Sequence, residues 1–340
     1  MNEIKEKLLR PCRVITDNII IAIFFSLLLM TAGVMLSGPL IRFTGIKNWA
    51  ADYFQSDNLT SFFIDYLEFI GLWIAILLAA IIPKKNRPML RSFLPNRRGN
   101  NLKGIIAGIV LGFGANGFCV LMSVLKGDIK LSYSGIEPGI LLLFIVVVFI
   151  QSGAEELVDR FYLYQKLRRR YRSPLIAIIV NSAVFMALHI LNPGFTAIAG
   201  SQIFLVGIIF SLFVYYYDSL WAAMWFHAAW NYTQNIIFGL PNSGIVSEYS
   251  IFRLEAASAT SGLFYDVKFG VEGSIGASLV LIILIIVLVL INRYNPECHD
   301  CWAEAEAAAS AKAAFSAKEE TAESITDTPA YKDSDYRPKH

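Results

Sequence analysis

Charge is scarce in this chain. Of its 340 residues only 16% are Asp, Glu, Lys or Arg, 56% are hydrophobic, and mean hydropathy is +0.53. That balance excludes an ordinary soluble domain and points to a polytopic membrane protein. Cysteine is scarce too: Cys12, Cys119, Cys298 and Cys301 stand at scattered positions, which excludes a disulfide framework. "CHDC" at 298–301 has half of a zinc-site spacing, but no second Cys or His pair lies near it, so it reads as a stray CxxC in a polar tail. The apolar runs also lack the period-two alternation of barrel strands, and only helices then satisfy their backbone groups in lipid.

What is present is a series of apolar windows of about 20 residues. They fall near 18–41, 62–83, 104–125, 139–162, 174–192, 198–217, 219–238 and 274–292, and predict an all-α bundle of about eight transmembrane helices. The first run is too long for a signal-peptide core and reads as a retained span. Lys5, Lys7, Arg10 and Arg13 precede span one, "PKKNRPMLRSFLPNRRGNNLK" separates spans two and three, and "QKLRRRYR" separates four and five. By the positive-inside rule the N- and C-termini are expected in the cytoplasm. The expected organisation is an N-terminus (1–17), three helices with their loops (18–138), a four-helix core (139–238), an external loop (239–273), a last span (274–292) and a polar tail (293–340). The tail, rich in Ala, Glu, Lys and Ser, is expected to be partly helical at most and otherwise disordered. Nothing in the external loop suggests chemistry.

Ionisable groups at bilayer depth are costly, so their inventory is informative. Asp65 and Glu68 are placed near the outer end of span two. Glu155, Glu156, Asp159 and Arg160 fall on span four, His189 on span five and His227 on span seven. With a rise of about 1.5 Å per residue, Glu155 lies roughly 15–18 Å above the cytoplasmic boundary, His189 about 24 Å, His227 about 14 Å and Asn231 about 20 Å. One site is therefore geometrically allowed. Glu156 and Arg160, four apart, can pair along one helix face. Glu155 then points about 100° away, where a buried carboxyl beside another acid suits a general base. His227 and Asn231 share a face by the same spacing, able to bind a metal or to donate to an oxyanion. Taken singly, each group has a plainer reading: a boundary ion pair, or histidines and amides bonding neighbouring helices.

Glu155, Glu156 and Arg160 match EExxxR, Phe185 and His189 match FxxxH, and His227 and Asn231 match HxxxN. In order, spacing and placement over 139–238 they resemble the CPBP family, the type II CAAX prenyl endopeptidase and bacteriocin-processing (Abi) intramembrane proteases. The resemblance implies an intramembrane endopeptidase acting on a membrane-bound protein or peptide, with the lipid bilayer as its surroundings and no nucleic acid as partner. It implies that Glu155 and His189 activate water, that His227 and Asn231 stabilise the oxyanion, and that Glu156, Arg160 and Phe185 support them. Zinc, held by Glu155, His189 and His227, is one implied cofactor; a glutamate-dependent reaction without metal is the other reading, and no HExxH is present to favour zinc. The family usually has glycine after the motif arginine; here Phe161 stands there, either narrowing helix packing or lining the substrate groove. Asp159 lies outside the motif. The expected location is a bacterial plasma membrane. A proton-coupled transporter and a non-catalytic bacteriocin-immunity protein of the same fold are the alternatives.

Overall fold

The computed structural model describes residues 9–10, 14–294 and 299–326, with side chains up to 315. Lys5, Lys7, Cys12, Arg13 and Cys298 lie outside the described residues. The chain divides into two compact units, Met1–Asp300 and Cys301–His340. In the second, Cys301–Thr326 forms one helix, α12.

The first unit is the expected helical bundle. Its elements are α1 (Ile19–Thr44), α2 (Ile46–Phe54), α3 (Asp57–Leu67), α4 (Ile70–Ile81), α5 (Leu102–Lys126), α6 (Pro138–Glu156), α7 (Tyr164–Arg170), α8 (Pro174–Leu188), α9 (Ala197–Tyr217), α10 (Leu220–Tyr232) and α11 (Ile275–Asn292). Six helical stretches among the described residues are long and apolar enough to cross a membrane: Ile19–Thr44, Asp57–Ile81, Leu102–Lys126, Pro138–Arg170, Ala197–Tyr217 and Ile275–Asn292. The protein is thus an integral membrane protein.

The other two expected spans are shorter than their windows. At 15 residues, α8 reaches about 22 Å, short of the ~30 Å apolar core. It stops at Leu188, and His189 is its C-cap. Residues 189–196 continue as turns ahead of α9, a path that Pro193 favours because it cannot continue a helix. Helix α10 is extended by a π-helical turn, Thr233–Ile237. A second π-helical stretch, Leu157–Leu163, joins α6 to α7. The helix that carries "EELVDR" therefore runs on through the arginines, from Pro138 to Arg170.

Those arginines are not a solvated loop. Lys166 and Arg169 are buried against Asp17, itself fully buried in the turn before α1, and Arg168 pairs with Asp300 at 3.1 Å. Charges held at this depth need such partners.

Small residues set the helix spacing, as in other membrane bundles. Helix α5 presents Gly104, Gly108 and Gly112 at four-residue intervals, and the last two face α10. A Cβ on Gly108 would stand 2.5 Å from the Ala222 carbonyl oxygen, and one on Gly112 2.3 Å from that of Phe226. Likewise a Cβ on Gly71 of α4 would lie 2.1 Å from the Gly33 oxygen of α1. The external loop is clipped down by a two-stranded antiparallel sheet that the sequence reading did not include. In it β1 (Leu131–Tyr133) pairs with β2 (Phe252–Leu254), with Ser132 opposite Arg253. Glu248 of the same loop accepts from Ser56 and Asn58 at the start of α3.

Gly112→Ala is expected to destabilise the fold by about 1–3 kcal/mol through overpacking. Gly114→Ala, two residues along the same helix with open space around its Cβ position, should leave the unfolding midpoint in detergent within a degree or two of the parent. Equal midpoints for the two variants would refute the close α5–α10 approach.

Candidate active site

The three motifs converge. Glu156 is fully buried and is the hub: its Oε1 accepts from Arg160 Nη1 at 3.1 Å and meets His227 Nδ1 at 3.0 Å. An oxygen already receiving the guanidinium acts as an acceptor, so His227 carries its proton on Nδ1 and presents the Nε2 lone pair. Arg160 donates a further bond to the Gly207 carbonyl at 3.1 Å. Its guanidinium lies 4.5 Å from the Phe185 ring centroid and 5.1 Å from that of Phe210. A cation between two aromatic faces is stabilised where water is absent. The pair the sequence alone would allow at a helix boundary is therefore wholly buried.

Glu155, one position earlier, points elsewhere as expected. Its Oε1 accepts from Gln151 Nε2 at 2.6 Å, while Oε2 has no hydrogen-bond partner and lies 3.7 Å from His227 Nε2. His189, at the end of α8, places Nδ1 2.8 Å from the Phe185 carbonyl. A carbonyl only accepts, so Nδ1 carries a proton, and the neutral ring presents its Nε2 lone pair. Phe185 thus touches Arg160, His189 and His227. Asn231 donates to Ser152 Oγ at 3.2 Å and Gln151 Oε1 at 3.4 Å, and its Oδ1 accepts from Asn242 at 3.0 Å.

These groups line a cavity of about 350 Å³. Glu155, His189, His227 and Asn231 all face it; Glu156 and Arg160 stand behind its wall. Phe161 is not part of the lining. It is fully buried with its ring 5.8 Å from that of Phe93, so of its two alternatives it takes helix packing.

Several wall residues were missed from sequence. Gln151 sits one turn before Glu155 and bridges it to Asn231, a spacing visible in the chain but without a motif to mark it. Asp65, read as an outer-end residue of span two, also lines the cavity while remaining exposed. The external loop, to which no chemistry was assigned, contributes Asn242, Ser243 and Glu272. Glu272 is buried and accepts from Trp230 Nε1 at 3.2 Å and from the Ser243 backbone N–H at 2.7 Å. Burial raises its pKa, and the bonds from Ser243 and Trp230 oppose that shift. Gly270, at φ +78°, allows the loop to approach; a Cβ there would lie 2.1 Å from the Pro241 oxygen.

Among the described residues, no group of three or more His, Cys, Asp and Glu side chains is close enough to hold a metal ion. The Nδ1 atoms of both histidines are already bonded to protein oxygens. The donor set as placed does not fit a three-ligand zinc site, and no step is derived through a metal.

Removing Glu156 alone would strand Arg160 in the membrane. Glu156→Ala is expected to cost about 3–5 kcal/mol, whereas Glu156→Leu combined with Arg160→Met should recover most of it. Unfolding in detergent measures both, and an additive double mutant would contradict the pairing.

Residues 137–233 match the sequence model of a family described as "Type II CAAX prenyl endopeptidase Rce1-like". No curated protein and no solved structure gives a match. The matched segment spans α6 to the end of α10 and contains Glu155, Glu156, Arg160, Phe185, His189, His227 and Asn231. The helices that build this cavity are thus similar in sequence to the Rce1-like, type II CAAX prenyl endopeptidase family over that segment.

Proposed function

We propose that the protein is an intramembrane endopeptidase that hydrolyses a peptide bond of a membrane-associated polypeptide inside this cavity. The observation that carries the reading is the unpartnered Oε2 of Glu155, facing the Nε2 lone pair of His227 at 3.7 Å in a polar cavity among apolar helices. At that separation a water can sit about 2.8 Å from both atoms, oriented for attack.

Glu155 takes a proton from this water as the water oxygen bonds to the scissile carbonyl carbon, and the second water hydrogen turns from His227 Nε2 to His189 Nε2. The tetrahedral oxyanion needs donors. Asn231 supplies one by releasing its longer contact, the 3.4 Å bond to Gln151. His227 supplies the other from Nε2 once the proton that Glu155 drew from the water has passed to it across the 3.7 Å gap, its charge offset by Glu156 at Nδ1, and it returns that proton to Glu155 before the amine leaves. The C–N bond then breaks as Glu155 passes its proton to the leaving amine. Gln151 is a positioning residue: it holds the Oε1 of Glu155 and so turns Oε2 to the water.

The match over 137–233 supports a CAAX-type substrate, and processing of a bacteriocin-like peptide is the other class. A proton-coupled transporter would use the same acids and histidines, but no feature of the bundle favours it over hydrolysis. Glu155→Gln and His189→Ala should each lower turnover of a membrane-anchored peptide by about 10²–10⁴-fold, and Asn231→Ala by about 10²–10³-fold, with the fold intact by thermal melt. Wild-type turnover in the first two variants would refute the mechanism.

A further inference from the structure

The mechanism leaves one ionisable residue of the motif stretch without a task. Asp159 is 1% exposed, lines the cavity, and has both carboxylate oxygens without a hydrogen-bond partner. No other buried acid among the described cavity-lining residues is left with both oxygens free. Isolating a carboxylate in this way costs several kcal/mol, and the attraction of the neighbouring Arg160 offsets only part of that cost. The adjacent Arg160 is committed to Glu156, to the Gly207 carbonyl and to the two aromatic faces.

The rest of the wall has the same sign. Asp65, Glu155 and Glu272 join Asp159 in the lining, and none of the described lining residues is Lys or Arg. Glu272 has its lone pairs satisfied by Trp230 and Ser243, so it adds negative field and not a free acceptor. Asp65 is exposed and can meet an incoming cation first. The acids are not close enough together to ligate a metal ion, whereas about 350 Å³ admits a whole side chain.

We propose that Asp159 determines specificity by receiving the ammonium or guanidinium group of a Lys or Arg residue in the peptide substrate, with Asp65 guiding that group inward. The proposal rests on the endopeptidase reading for its placement. Asp159 lies four residues beyond Glu155, about 6 Å along the helix, and an extended chain advances about 3.3–3.6 Å per residue. The basic residue therefore stands within about two positions of the scissile bond. In a cavity of low dielectric, a carboxylate–cation pair discriminates strongly against an uncharged side chain.

The test uses the full chain in lipid nanodiscs and two membrane-anchored peptides that differ only in Lys against norleucine beside the scissile bond. Each is made in a cleavable form and in an uncleavable form with that amide N-methylated. Fluorescence anisotropy of the uncleavable pair should show the wild type preferring Lys by about 30-fold. Asp159→Asn should bring that ratio close to one, Asp159→Glu should retain most of it, and Asp65→Asn should lower it severalfold. Equal binding of the two peptides by the wild type, or an unchanged ratio in Asp159→Asn, overturns the proposal. If Asp159→Asn does not fold, the wild-type ratio and the Asp65→Asn variant still decide it. Turnover of the cleavable pair separates the two readings. Cleavage without charge preference sinks this inference and leaves the endopeptidase standing; charge-selective binding without cleavage does the reverse.

Discussion

A buried charge inside a membrane bundle has to be paired, and the Glu156 carboxylate is where this protein meets that requirement. One oxygen receives both Arg160 and His227. Arg160 in turn holds the Gly207 carbonyl of α9 and lies between Phe185 of α8 and Phe210 of α9. A single carboxylate thereby fixes the relative positions of α6, α8, α9 and α10, and sets which nitrogen of His227 is free to face the cavity. If the pair were exposed, its attraction would be small and screened. Fully buried, it is costly to break, and the geometry around it is correspondingly well defined. Asp17 applies the same rule at the other end of the long helix, where it neutralises Lys166 and Arg169.

Departures from regular helix are concentrated beside the site. The π-helical stretch 157–163 begins directly after Glu156, a second follows Tyr232, and α8 stops at His189. Irregular backbone at membrane depth is tolerated only where protein or a polar cavity satisfies it, and π turns inside helices are often found at functional sites. Here they have a visible use. The first carries Asp159 on the cavity wall with Arg160 behind it, and the truncation of α8 lets His189 present a ring nitrogen to the cavity. Close helix contact through Gly108 and Gly112 then sets how near α10, with His227 and Asn231, can stand to its neighbours.

The cavity is closed by a segment that looked unremarkable in one dimension. Clipped by the β1–β2 pairing and by Glu248, the loop after α10 brings Asn242, Ser243 and Glu272 into the wall. With Asp65 and Asp159 these residues make the site more acidic than the three motifs imply. A membrane cavity with that field, and no lysine or arginine among its described lining residues, attracts a cation more than an anion.

By itself the sequence determined the class of protein, the order of the helices and the residues that meet. Hydrophobic runs long enough for lipid leave few folds open, and six of the eight windows are helices long enough to cross. Polar groups at bilayer depth are so costly that Glu155, Glu156, Arg160, His189, His227 and Asn231 could be picked out from position alone. The length of α8 was only partly legible, since Pro193 marks a break but the apolar run before it does not fix the helix end at Leu188. Gln151 and Asp65, which lie on helices but carry no motif, were not legible, nor was Glu272, which reaches the site only through loop closure. The tertiary structure alone decided that Glu156 serves His227 as well as Arg160, that Phe161 packs away from the cavity, and that Asp159 faces it unpaired. Each of these depends on which direction a side chain takes once four helices have closed around it, and spacing along one helix does not contain that information.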